Sequence, residues 1–153
     1  MRALLKVLLF FVVSAIAARI SSFIVSSQLD EGSEVSDEVR RVVILNGLGF
    51  TSRARGLRSI DVSVALGGAK LDLRGALVDA AGAQVLARNT LGGLLIVVPE
   101  DWAVSVDDQL HGGGNTEVDV TPLDELPDDA PKLHIDVTTR FAGTVISTKD
   151  RGF

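Results

Sequence analysis

The sequence predicts an all-β fold: a short, single-stranded, right-handed β-helix-like stack of about five rungs centred on Gly-Gly turns, preceded by one N-terminal hydrophobic helix. The first observation behind this is repetition. Five times an apolar stretch runs into a small-residue turn and out again, at Leu45-Asn46-Gly47, Leu66-Gly67-Gly68, Leu91-Gly92-Gly93, His111-Gly112-Gly113 and Phe141-Ala142-Gly143. Recurrence at a period of roughly 20 to 50 residues marks stacked repeats. The second observation is a change of parity. Ile60, Val62, Val64 and Leu66 are even-numbered, whereas Ala69, Leu71 and Leu73 beyond the turn are odd-numbered. Alternation in a strand has period two, so an odd step is inserted at the corner. The same three-residue step joins Leu45 to Leu48, Leu91 to Leu94 and Phe141 to Thr144. The turn at His111 obeys it only afterwards, because Asp107 and Gln109 occupy positions where apolar residues are expected. The turn glycines singled out are Gly47, Gly67, Gly68, Gly92, Gly93, Gly112, Gly113 and Gly143, read as corners that take φ > 0 or let another backbone pass close by.

Taken from the N-terminus, residues 1–27 read as a membrane anchor. Val7 to Val25 is an apolar run interrupted by Arg19, near the ~20 residues that cross a bilayer core as a helix. Arg19 can snorkel from near a helix end. A cleaved export signal ending near Ala15-Ile16-Ala17 and an interfacial helix are the alternatives. Arg2 and Lys6 precede the apolar run, so the positive-inside rule places the N-terminus in the cytoplasm and the rest of a single-pass protein outside it. Residues 28–38 (QLDEGSEVSDE from Gln28) are polar and acidic, as in a flexible linker.

The β-repeat domain covers residues 39–148 and a tail covers 149–153. Strands are expected over Val42 to Phe50, Ile60 to Leu73, Ala83 to Val98, Ala103 to Leu110, Thr116 to Val120 and Leu133 to Ser147, where Val, Ile and Leu alternate with polar residues. Thr121 to Lys132 (TPLDELPDDAPK) carries three prolines and four acids and is expected outside the ladder, since proline removes a backbone donor. It lengthens the last repeat interval to 30 residues, against 21, 25 and 20 before it.

With these rungs, the segment Gly92 to Trp102 (GGLLIVVPEDW) and the closing strand Leu133 to Thr148, the chain resembles the toastrack-type domain at the C-terminus of LiaF-like, cell-wall-active-antibiotic response proteins. The likeness spans roughly residues 40–148, and Val98-Pro99-Glu100-Asp101-Trp102 is its most specific element. It implies a bacterial envelope-stress role in which such proteins adjust a membrane sensor kinase. This chain has one apolar segment where the larger LiaF-like layout has several.

Composition narrows the chemistry. Of 153 residues, those after residue 28 hold all 20 acids against 12 bases, a net of −8, which disfavours nucleic acid as a partner. Cysteine is absent, so disulfides and thiolate metal sites are excluded. His111 and His134, the two histidines, do not match a metal-ligand spacing even with Asp136 nearby. Asp72, Asp101, Asp119 and Asp136 could pair across rungs as glycosidase carboxylates do, but acids alternating with apolar residues also describe a solvated strand face. Asp124, Glu125, Asp128 and Asp129 lack the fixed spacing of a calcium loop. Asn46-Gly47-Leu48-Gly49-Phe50 begins like a phosphate loop, yet Ser52 stands where a third glycine is needed. Arg53, Arg55 and Arg58 form the one basic cluster beyond the anchor and are candidates for contact with membrane headgroups or envelope polymers. Trp102 is a candidate for packing or partner contact.

No catalytic, cofactor or metal residues are assigned. The expected function is a membrane-anchored, non-enzymatic regulatory or interaction module of the bacterial cell envelope with a membrane protein partner. A self-assembling β-helix scaffold is the runner-up, and a carbohydrate-active enzyme is third.

Overall fold

The computed structural model describes residues 30–151, and the expected N-terminal helix lies outside them. Ten strands follow in order: β1 (Glu38–Ile44), β2 (Gly47–Thr51), β3 (Ser59–Ala65), β4 (Gly68–Asp72), β5 (Ala83–Thr90), β6 (Gly93–Val97), β7 (Ala103–His111), β8 (Asn115–Asp119), β9 (Lys132–Arg140) and β10 (Gly143–Ser147). They form two five-stranded sheets with every pairing parallel. Odd-numbered strands make one sheet and even-numbered strands the other, so each strand, its tight corner and the next strand form one rung.

The rungs do not stack in chain order. The sheets run β1-β3-β5-β9-β7 and β2-β4-β6-β10-β8, so the last rung is inserted between the third and the fourth. The proline-rich connector of residues 120–131 makes this crossover. It stays outside the ladder, with a single 3-10 turn at Leu123–Glu125.

Alternation turns one set of side chains from each sheet into a shared core. Ile60, Val62, Val85, Ile135, Leu71 and Ile96 are among its buried members. At the position two residues before each corner, Val43, Val64, Asn89 and Thr139 lie in register. The polar members of this row sit in a small network: the Asn89 side-chain amide donates to the Gly143 carbonyl (2.8 Å) and to Thr144 Oγ1 (3.2 Å), and Thr139 Oγ1 lies 2.9 Å from Thr144 Oγ1. Asn89 Oδ1 has no hydrogen-bond partner. The partners on β10 exist only because the last rung has been inserted beside β5 and β6.

Both flanking segments fold back on the sheets. From Asp30 onward the residues read as linker strap the outer edge of β1: Glu31 and Arg40 exchange backbone hydrogen bonds, Asp30 accepts the Val42 amide, and the Arg41 guanidinium donates to the carbonyls of Glu31 and Gly32. At the other terminus Asp150 pairs with Lys70 and Arg74, while Arg151 pairs with Glu117 and Asp119. The tail therefore crosses from β4 to β8 over β6 and β10. That explains why Leu95 and Val97, on the outward face of β6, are buried.

Candidate functional site

The corners are built differently from the sequence expectation. Positive φ falls on the apolar residue that enters each turn, namely Leu45 (55°), Leu66 (54°), Leu91 (54°) and Phe141 (48°), and not on the glycine after it. Gly67 and Gly92 serve the second expected purpose. A Cβ on Gly67 would lie 2.2 Å from the Asn46 carbonyl oxygen, and one on Gly92 would lie 2.4 Å from that of Gly67. A side chain does not fit there because Gly68 and Gly93 hydrogen-bond to those same carbonyls. Gly47, Gly68 and Gly143 open their strands in free space.

The His111 turn departs in register. His111 pairs with Arg140, so Gly112 and not His111 corresponds to Phe141 and Leu91. Gly112 and Gly113 both have positive φ, and the turn contains one extra residue before Asn115 reaches its place opposite Gly143. The extra residue accounts for the broken parity: Val104, Val106, Asp108 and Leu110 are the inward positions, opposite Leu133, Ile135, Val137 and Thr139. The Phe141 ring fills the space over Gly112, where an added Cβ would meet it at 2.2 Å.

These corners stack into a ladder. The amides of Leu45, Leu66, Leu91 and Phe141 donate in turn to the carbonyls of Ala65, Thr90, Arg140 and His111. Successive corners are therefore one strand spacing apart, ~4.8 Å. Their four side chains are 37% to 60% exposed. No acid occurs in any corner segment, 44–48, 65–69, 90–94, 110–116 or 139–144. The loops at the other ends of the strands hold Asp79, Glu100, Asp101, Asp124, Glu125, Asp128 and Asp129. The turns on the corner side thus carry apolar residues and no acid, whereas the loops on the other side are acidic.

The other sequence candidates are scattered. Arg53, Arg55 and Arg58 lie on the loop side, where Arg53 is 3.9 Å from Glu34 and Arg58 is 3.2 Å from Glu38. Trp102 is 4% exposed and belongs to the core. Asp72 is held by Arg74, whose guanidinium donates to both carboxylate oxygens and keeps its carboxyl below the usual aspartate range. His111 ends β7, about 20 Å along the strand from Ser105, the partner of His134. His134 and Asp136 do come together, and Asp107 joins them from β7. In the sequence Asp107 stands out only as a polar residue at an expected apolar position, and nothing there marks it as a partner of His134 or the ladder residues as a surface. For the ladder the available signal was an apolar residue repeated immediately before a close-packed glycine.

Comparison with known proteins finds no matching family model, no similar curated protein and no similar solved structure. Among the described residues no helix is long and apolar enough to cross a membrane, and the apolar run of residues 7–25 lies outside them.

Proposed function

We propose that this chain is a membrane-anchored, non-enzymatic interaction module of the bacterial cell envelope, a β-helix-like stack that binds a membrane protein partner through the Leu45-Leu66-Leu91-Phe141 ladder. The observation that carries this is the pairing of strain with exposure at those four positions. A left-handed conformation costs a non-glycine residue about 1 to 2 kcal/mol, and a half-exposed side chain regains little of that by burial. Four repeats of an arrangement that does not stabilise the fold point to a role at the surface.

Position supports a partner in the same membrane. The strap brings Asp30 beside Val42, three residues short of the Leu45 corner, so the described chain starts on the corner side. The anchor proposed for residues 1–27 lies upstream of that point, with the domain outside the cytoplasm. An acidic protein presents least repulsion to an anionic bilayer on the side whose turns carry no acid. The likeness to LiaF-like domains makes envelope-stress sensing the proposed process. Ser105, His134 and Asp107 follow the order of a hydrolytic relay, but side chains stand perpendicular to a sheet whose own amides lie in its plane and so supply no donor pair converging above Ser105.

The test is site-specific photo-crosslinking of the full chain in native membranes. A probe at Leu66 should label a membrane protein, and the combined substitutions Leu45→Ser, Leu91→Ser and Phe141→Ser should abolish that band. A probe at Asp128 should not produce it. Equal labelling from both probes, or a band indifferent to the substitutions, would remove the ladder as the binding face.

A self-assembling scaffold is the second reading, favoured by the outer edges of β7 and β8, which no strand of the described residues covers.

A further inference from the structure

We infer that Asp107, His134 and Asp136 form a binding site for one divalent transition-metal ion, with zinc as the best match. All three come from neighbouring strands of the first sheet. In β9, Leu133, Ile135 and Val137 point inward, so His134 and Asp136 lie on the outer face. Parallel register sets Ser105 opposite His134 and Asp107 opposite Asp136. This juxtaposition depends on the crossover, since it places β9 beside β7.

Two carboxylates directly opposite one another on a sheet face repel, and a cation between them offsets that repulsion. Among the described residues the only basic side chain within 4 Å of either carboxylate is His134, whose Nε2 lies 3.5 Å from Asp107 Oδ2 and 3.4 Å from Asp136 Oδ1, and a neutral imidazole there supplies no charge. The three ligand atoms lie within 4.8 Å of one another. Tetrahedral zinc with ligands at ~2.0 to 2.2 Å sets ligand atoms about 3.4 Å apart. The two nitrogen-to-oxygen separations already have that value.

Neighbouring side chains orient the ligands. Ser105 Oγ sits 2.9 Å from His134 Nδ1, so with Nδ1–H donating to it, Nε2 presents a lone pair toward the carboxylates. A lone pair facing two anions is stabilised by a cation between them. Gln84 Nε2 donates to Asp136 Oδ2 (2.7 Å), leaving Oδ1 turned toward the imidazole. Such outer partners fix the tautomer and rotamer of metal ligands. Imidazole with carboxylates suits zinc better than calcium, which prefers oxygen alone. The His134 and Asp107 side chains are 41% and 78% exposed, so water or an anionic ligand from solvent can complete the coordination. Bound here, the ion would clamp the uncovered edge strand β7 to β9.

The experiment is calorimetric titration of the full-length, untagged protein in detergent micelles with zinc chloride, in a buffer that does not chelate. One saturable site is expected. His134→Ala and Asp107→Asn should each weaken it at least tenfold, and Ser105→Ala by roughly 10- to 100-fold, the range for lost outer partners. Asp124→Asn, Glu125→Gln, Asp128→Asn and Asp129→Asn combined should leave it unchanged. Zinc should also slow amide exchange in β7, and cobalt should give the visible bands of a tetrahedral site. Trp102 fluorescence verifies that each variant is folded. The site is overturned by absence of saturable binding, by binding that survives His134→Ala, by loss only with the acidic-loop variant, or by calcium binding as tightly as zinc.

Discussion

At the scale of single residues, the corner separates what folds the chain from what the fold displays. Gly92 is fixed by contact, since any side chain would enter the carbonyl of Gly67 in the rung below. Gly47 opens its strand with nothing within 4 Å. Gly92→Ala should therefore cost more than about 2 kcal/mol, and Gly47→Ala less than about 1, because the second change meets no atom and restricts the unfolded chain. Leu91 is opposite in kind. Glycine there would relieve roughly 1 to 2 kcal/mol of left-handed strain and return about 0.5 to 1 as extra chain entropy, so Leu91→Gly should leave stability nearly unchanged. Denaturant unfolding followed by the single tryptophan checks all three. A large loss for Leu91→Gly would mean that its side chain holds the fold, and the argument for a displayed ladder would fail.

At the scale of elements, the tail and its supporting strands form a unit sensitive to acid. Arg74 holds the Asp72 carboxyl below its ordinary range, and the same guanidinium reaches Asp150 of the tail. A carboxyl whose pKa is lowered in the folded state stabilises it above the unfolded value near ~3.9, and that contribution disappears as pH falls through the folded value. Above pH 5 the tail should stay docked. Below about pH 4 it should release and uncover Leu95 and Val97, seen as dye binding and faster exchange in β6, and Asp72→Asn, which lacks the titrating carboxyl, should show faster β6 exchange already above pH 5. Dye binding unchanged down to full unfolding would show that the tail is held otherwise. Strand positions were legible because period-two alternation reports a buried face directly. The inserted last rung was not, because which parallel neighbours pair is decided by contacts distant in the chain. The extra residue among Gly112, Gly113 and Gly114 hid itself in glycines, which carry no apolar pattern, and so His111 was set one place out of register. Asp107 and His134 meet through that same pairing, beyond the reach of sequence spacing.

At the scale of the whole molecule, the two ends of the sheets are finished differently, and this decides between a module and a scaffold. The β1 end is strapped by Glu31 and the Arg41 guanidinium, which also stacks 4.7 Å from the centre of the Phe50 ring. The β7 edge is not covered by any strand of the described residues and carries Asp107 and Asp108, charges of the kind that discourage edge pairing. A head-to-tail contact between copies would seat β7 on β1, and because it is heterologous it would propagate into a filament. The strap occupies the receiving edge, so the full chain in detergent should remain one small species over a wide concentration range. Asp30→Ala with Arg41→Ala removes the bond to the Val42 amide and the guanidinium contacts, which frees β1 for an incoming strand. That variant should show association that grows with concentration in light scattering and ordered filaments by electron microscopy. Filaments from the unaltered chain would instead make the strap a regulated latch and the scaffold the better account. If the variant too stays small, the negative charge of β7 suffices to block stacking, and adding Asp108→Lys to it should then release assembly.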